Sequence, residues 1–299
     1  MAPAEAPRPD VSIIVIAHDV RDDVLDCVAS IERHAEPLRV ETILVDNAST
    51  DGTADAVAEA FPSVETIELP QNEGLTARNH GLRRARGRLR MFLDSDATLT
   101  PGALPELAGF LDAHPDIGLV GPRLVYPDGR LQLSARRYPP LTIPLRRRPP
   151  FNRLLEDTPA VRRHLMAEDT PTSPREVEYV LGACQLFRSE AQSAAGEIDS
   201  RMWFGPDDAD WCFRIREAGF RIAYDPNATV VHDYRRSSAE RPISRMAVRH
   251  LAGFAWFQWK WRKERRRLKH EGARMDMRGG ALSPVRDLES QHYTDRNVG

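Results

Sequence analysis

Two carboxylates, Asp94 and Asp96, stand two residues apart directly after the apolar run Met91-Phe92-Leu93. Such a pair at the end of a buried strand can hold one hard divalent cation together with substrate phosphates. A cation on a diphosphate offsets the negative charge that grows as a leaving group departs, an effect worth several kcal/mol of barrier. The competing reading is a helix cap, because Asp96 opens the stretch Asp96-Ala97-Thr98-Leu99-Thr100-Pro101 ahead of a helical pattern, and aspartate is a favoured N-cap. A second candidate is Asp46, which opens DNASTDGT at 46–53. It is either strand–turn–helix punctuation or a carboxylate accepting a hydrogen bond from a nucleobase ring N–H. Asp207 and Asp208 precede another helical pattern. Acids in a first turn suit the helix dipole, but one could deprotonate an acceptor hydroxyl, help worth about 10²–10⁴-fold. His232 follows the apolar pair Val230-Val231. A lone histidine at a strand end is more often structural than a ligand, and it gains meaning only beside the acids.

These residues need elements to position them. Residues 11–16 form a β-branched run typical of a buried parallel strand. Val24, Leu25, Val28 and Ile31 then share one helical face. Strand patterns at 42–45, 64–69 and 90–93 alternate with helical patterns at 53–60 and 75–86. The alternation predicts an α/β domain with a parallel sheet. Ligands bind beyond the carboxyl ends of such strands, where Asp46 and Asp94 fall. Further strands are expected at 117–125, within 177–188, near 221–224 and near 229–232, with a helix near 208–218 and a hairpin turning at Pro127-Asp128-Gly129. Residues 139–176, rich in Pro and Arg, show no clear period. Residues 242–270 read as one basic, aromatic helix with Phe254, Phe257 and Trp261 on one side.

The chain has 299 residues, 41% hydrophobic, and a formal net charge of −2. That balance predicts no nucleic-acid partner. Its three cysteines lie far apart and fit a reduced, cytoplasmic setting. Residues 1–9 read as a disordered tail rather than a signal peptide, and no apolar run reaches membrane-spanning length. No G-x-G-x-x-G follows the first strand, which disfavours a dehydrogenase. The segment after it, AHDVRDD, has neither Gly nor Lys to cradle the triphosphate of a nucleotidyltransferase.

The ordered set VSIIVIAHD, ILVDNASTDGT, QNEGLTARNHGL, MFLDSDA, GACQLFRSE, the Asp207-Asp208 segment and VVHDYRRSS resembles the family 2 inverting glycosyltransferases of GT-A fold. The resemblance implies a Rossmann-like, mixed but mostly parallel sheet flanked by helices. It covers residues 10–240, with a nucleotide-binding half at 10–100 and an acceptor-binding half at 101–240, followed by a C-terminal helix and tail at 241–299. It implies that Asp46 reads the base, and that Asp94 and Asp96 flank the ribose and diphosphate, Asp96 being the firmer ligand of Mg2+ or Mn2+. His232 would complete the metal shell, and Arg78 and Asn79 would line the donor pocket. Asp208 would be the catalytic base, with Asp207 assisting or orienting. The mechanism implied is a direct displacement that inverts the anomeric carbon, following the geometry of inverting hydrolases. Two departures stand out: Ala17, His18 and Asp19 replace the family's common Thr-Tyr-Asn, and QNEGLTARN is about one residue short.

The segment 121–139 is similar to the rhamnosyltransferase-like branch, which implies dTDP-rhamnose as donor and a glycan or polyprenyl-linked saccharide as acceptor, in polysaccharide and cell-envelope synthesis. The basic aromatic stretch 254–269 either packs on the catalytic domain or meets a membrane surface. The second reading would place the cytoplasmic enzyme peripherally at the inner face of the plasma membrane. The alternative to an enzyme is a non-catalytic nucleotide-sugar-binding or scaffold protein of the same fold.

Overall fold

The computed structural model describes residues 8–146, 157–203, 205–234, 245–264 and 266. Its strands are β1 (Val11–Ala17), β2 (Val40–Asp46), β3 (Glu65–Glu68), β4 (Leu89–Asp94), β5 (Ala97–Leu99), β6 (Ile117–Val125), β7 (Leu131–Gln132), β8 (Ala135–Arg136), β9 (Arg175–Glu176), β10 (Tyr179–Val180), β11 (Cys184–Arg188) and β12 (Arg221–His232). One sheet runs in the order β3-β2-β1-β4-β11-β6-β12-β5, with β7 beside β6 and β9 beside β12, while β8 and β10 form a separate pair. The two halves expected at 10–100 and 101–240 therefore share a single sheet.

β1 through β4 pair in parallel, as the alternation predicts. The rest of the sheet is mixed: β11 runs antiparallel between β4 and β6, and β12 is parallel to β6. The central strands are covered on both faces, which explains their unbroken apolar runs. In β1, Ile13 and Val15 enter one core with Val24, Val28 and Ile31 of α1 (Arg21–His34), while Ile14 enters the other with Leu82 of α3 (Arg78–Arg84). Period-2 side-chain alternation thus feeds both layers.

The helix predicted over 53–60 is α2 (Thr53–Ala60). The one predicted over 75–86 is instead a 3-10 turn, Gly74–Ala77, leading into α3. Gly74 sits at φ +63°, and a Cβ there would lie 2.2 Å from the Trp203 carbonyl oxygen. The Leu75 N–H donates to the same Trp203 carbonyl at 3.0 Å, so the start of this segment packs closely on the loop before Asp207. The cap reading of Asp96 also fails: β5 follows it immediately, and α4 (Ala103–Ala113) starts after Gly102. The two strands predicted near 221–224 and 229–232 form the single strand β12, with a shift in pairing register between Asp225 and Thr229. The hairpin closes at Pro127-Asp128-Gly129, where Gly129 adopts φ +81° and the Tyr126 N–H donates to the Arg130 carbonyl at 2.8 Å. Within 139–176 lies a helix, Pro159–Leu165; residues 147–156 are outside the described set.

The C-terminal helix spans Arg245–Lys260. Phe254, Phe257 and Trp261 are buried as the spacing predicts, and Trp259 is 56% exposed. The remainder of the expected stretch beyond 266, like residues 1–7 of the expected tail, is outside the described residues. No described helix is long and apolar enough to cross a membrane.

Candidate active site

The parallel register brings the strand ends to one edge. Ala17 pairs with Asp46, and Ile16 pairs with Asp94, so both acids sit where an α/β sheet binds ligands. Asp46 is buried, and its Oδ1 accepts the Ser49 N–H at 2.8 Å. The neighbouring loop is latched by Asp19. Its carboxylate accepts the Thr50 N–H at 2.7 Å, and its own N–H donates to Ser49 Oγ at 3.1 Å. Asp19 adopts φ +54° and Ala48 φ +64°, strained backbone of the kind that clusters at ligand sites. Asp19 thus joins the two loops at the position where the family pattern has Asn.

The second group forms through antiparallel pairing of β12 with β5. His232 lies opposite Ala97, and the Asp233 N–H donates to the Asp96 carbonyl at 2.9 Å. This register sets His232 Nε2 3.3 Å from Asp96 Oδ1. Asp94, Asp96 and His232 each offer a ligand atom, and these atoms lie within 4.8 Å of one another. Burial works against a charged His232. The hydrogen bond to Asp96 and the charges of Asp94 and Asp96 outweigh it and raise its pKa. His232 Nδ1 meets Gln132 Oε1 at 2.8 Å, which leaves Nε2 as the ring atom facing the acids. Two carboxylates and one imidazole nitrogen form a donor set suited to Mn2+ or Mg2+. The closeness of a carboxylate to a ring nitrogen calls for a cation, metal or proton, between them. The residues fit the metal that their types implied.

Arg78 joins this group to the acids of the helix Asp207–Glu217. Its guanidinium donates to Asp94 Oδ1 at 2.6 Å, to Asp207 Oδ2 at 3.3 Å and to the Gly182 carbonyl at 3.3 Å. The side chain is 3% exposed. It lies over the Phe92 ring at 4.8 Å, and Phe92 packs against Phe187 and Trp211. One guanidinium faces two carboxylates, so it neutralises them incompletely. Burial lifts the Asp207 carboxyl to about 8; Arg78 opposes this, and the charges of Asp208 and Asp94 add to the rise. Burial, with Asp96 nearby, also raises Asp94 against the pull of Arg78 and His232. Asp208 stands beside this bridge, half-buried, with Oδ1 accepting the Ala209 N–H at 2.7 Å. A Cβ on Gly182 would come within 3.3 Å of Asp208 Cβ and 3.5 Å of an Arg78 nitrogen. Gly182, the glycine of GACQLFR, thus lies close against both residues.

Asn79 has a different place. Its amide donates to the Ile198 carbonyl at 3.0 Å and accepts the Ile198 N–H at 2.8 Å. It therefore pins the loop that leads to Asp207. The structure brings Asp94, Asp96, His232, Arg78 and Asp207 into one connected group, with Asp208 adjoining and Asp46 on the same sheet edge. Gln132 and Gly182 adjoin the site and were not singled out from sequence, whereas Asp19 was noted there only as a departure from the family pattern. Gly182 had a signal in its motif, whereas Gln132 is one polar residue in a two-residue strand.

Residues 12–167 match the family model described as Glycosyl transferase family 2. The chain belongs to that family. This family 2 glycosyltransferase is 28% identical, over 236 residues, to the N-acetylglucosaminyl-diphospho-decaprenol L-rhamnosyltransferase of Mycobacterium tuberculosis, covering 72% of this chain and 73% of that one. It is also 32% identical over 200 residues to the pre-mycofactocin glycosyltransferase of the same organism, covering 66% of this chain but 38% of that one. Among solved structures, a Pyrobaculum calidifontis mannosyltransferase in complex with GDP-Man and Mn2+ aligns with TM-score 0.55 at 24% identity, over 80% of this chain and 61% of that chain. GalNAc-T7 with UDP, GalNAc and Mn2+ aligns with TM-score 0.60 at 17% identity, over 80% of this chain and 47% of that one. These likenesses show the fold: a GT-A glycosyltransferase, as the motif order implied.

Proposed function

We propose that this enzyme is a metal-dependent, inverting glycosyltransferase that moves L-rhamnose from a dTDP donor to a hydroxyl of a polyprenyl-diphosphate-linked saccharide in cell-envelope synthesis. The observation that carries the reaction type is the Arg78 bridge: one buried cation ties the acid of the Asp94–Asp96–His232 group to the acid beside Asp208. The relative acting on a lipid-linked N-acetylglucosamine, matched over most of both chains, supports the choice of donor and acceptor.

A divalent ion held by Asp94, Asp96 and His232 would stabilise negative charge on the departing diphosphate. The remaining work falls to the protein's own groups. Asp46 accepts a base N–H with the oxygen that Ser49 does not occupy. Arg78 holds Asp94 in place and keeps Asp207 fixed at the helix start. Asp208 removes the acceptor hydroxyl proton as that oxygen attacks the anomeric carbon. The bond to the diphosphate breaks on the opposite side, and the configuration inverts with no glycosyl-enzyme intermediate.

The C-terminal helix supports a peripheral position at the inner face of the plasma membrane. Val248, Leu251 and Trp259 are 68%, 38% and 56% exposed. At helical spacing they form an outward stripe, with Ala252 and Ala255 between them and the exposed Arg262, Lys263 and Arg266 following. An apolar stripe flanked by cations fits an anionic lipid surface. Cosedimentation with phosphatidylglycerol vesicles should be salt-sensitive and weakened by Trp259→Ser; equal binding by that variant counts against the stripe.

The central test is a nucleotide-sugar panel screened for thermal stabilisation with and without Mn2+, since a ligand binding only the folded state raises its stability. A metal-dependent shift with dTDP-rhamnose, followed by transfer to a lipid-linked N-acetylglucosamine acceptor, is expected. A clear preference for a uridine or guanosine donor overturns the donor assignment. Binding without turnover on any acceptor would favour a scaffold.

A further inference from the structure

The contact between Gln132 and His232 runs both ways. Gln132 Nε2 donates to the His232 carbonyl at 2.6 Å, and Gln132 Oε1 lies 2.8 Å from His232 Nδ1. Both residues are buried, at 6% and 5% exposure. A main-chain carbonyl can only accept, so the amide nitrogen must be the atom facing it. The amide cannot turn over without setting oxygen against oxygen. Its oxygen is thereby fixed on Nδ1, and an oxygen that only accepts requires Nδ1 to carry the proton. The other ring nitrogen, Nε2, is then the one left to face Asp96 Oδ1, 3.3 Å away, where a proton or a metal ion must lie between them. The backbone of β12 itself, read through one glutamine, sets the tautomer of the histidine on that strand.

We infer that Gln132 is a positioning residue that fixes His232 as an Nδ1–H imidazole with Nε2 directed at the cation held by Asp94 and Asp96. A histidine ligand is oriented and made more basic by the partner of its second nitrogen, and loss of such partners costs about 10–100-fold in metal affinity. The hairpin closed by Pro127-Asp128-Gly129 supplies this residue. β7 pairs with β6 through Leu124 opposite Gln132 and Val125 opposite Leu131, and β6 pairs with β12 through Val230 and Val231. The turn that the sequence showed as a hairpin thus delivers an amide to the metal group. This rests on the metal-dependent reading proposed above, and the test separates the two.

The experiment measures Mn2+ binding to the full chain by the loss of the free-ion electron paramagnetic resonance signal, without any sugar transfer. Gln132→Met keeps length and bulk while removing both hydrogen bonds. It should weaken Mn2+ binding about 10–100-fold. In a His232→Ala background the same substitution should change binding less than about twofold, because residues acting as one unit are not additive. Binding by Gln132→Met within twofold of the parent, or an equal loss in both backgrounds, overturns the assignment while leaving the metal site standing. A parent chain that binds no Mn2+ sinks both. Nitrogen-15 spectra of the histidine rings check the unsubstituted chain: neutral His232 should be protonated on Nδ1, and protonation on Nε2 would contradict the inference.

Discussion

Asp96 Oδ1 and His232 Nε2 stand 3.3 Å apart, brought together because β12 runs antiparallel to β5 with His232 opposite Ala97. Neither residue reaches a partner by local sequence alone. Removing the acid should therefore disable the cation site without disturbing the sheet. Asp96→Ala is expected to lower transfer by about 100-fold or more, the rate equivalent of several kcal/mol of charge stabilisation, and to weaken metal-dependent donor binding in a nucleotide titration. Near-parent transfer at limiting Mn2+ would show that the group holds no ion.

Asp208 should separate binding from chemistry. With Asp208→Asn, the donor titration should match the parent, while transfer falls by about 10²–10⁴-fold. Initial rates at saturating donor and acceptor measure this. Transfer at the parent rate would move the base to another residue, with Asp207 the first to examine.

Arg78 carries a structural load as well as a positioning one. Arg78→Met leaves Asp94 and Asp207 facing each other across a buried space without their shared cation. Breaking a buried ion pair by removing one partner costs about 3–5 kcal/mol. Urea unfolding should show a loss of that size, and a loss below about 1 kcal/mol would mean that the two acids find other partners.

A pH prediction comes from the joint between the C-terminal helix and the catalytic domain. Asp199 accepts from Trp256 Nε1 at 3.2 Å and Lys260 Nζ at 3.2 Å, while Asp210 accepts from Lys260 at 2.7 Å and Trp261 at 2.7 Å. Burial opposes ionisation of Asp199, but hydrogen bonds from Arg201, Trp256 and Lys260 outweigh it and hold its pKa well below the usual carboxylate range. A pKa depressed by folding means that the unfolded chain binds more protons near pH 4, so stability rises with pH there. The stabilisation is present above the unfolded value and fades as the pH falls through about 4 and below. Asp199→Asn should be less stable than the parent at pH 7, and the gap between the two should narrow steadily as the pH falls below about 4 toward about pH 2. A constant gap from pH 7 down to that point would contradict the assignment.

Much of the site was legible along the chain. The buried runs of β1, β2 and β4 gave a parallel core, and that core places Asp46 and Asp94 at its carboxyl edge whatever follows. The spacing of Phe254, Phe257 and Trp261 named the buried side of the last helix. Order of motifs identified the family, and the Pro-Asp-Gly turn at 127–129 gave the hairpin. The helix cap at Asp96 was misleading because the competing outcome, a three-residue strand, depends on β12 arriving from far along the chain.

Sequence by itself therefore determined the local periods, the acids at strand ends and the family they belong to, since these follow from side-chain alternation and residue type. Tertiary structure alone decided the charges' partners. Arg78 reads from the motif order as a residue lining the donor pocket, and only its burial between Asp94 and Asp207 shows it to be the link between the two acids. Gln132 reads as one polar residue in a hairpin until the pairing of β7, β6 and β12 sets its amide against His232. Hydrogen bonds and ion pairs act over a few ångströms of space, and sheet pairing between distant segments sets those distances.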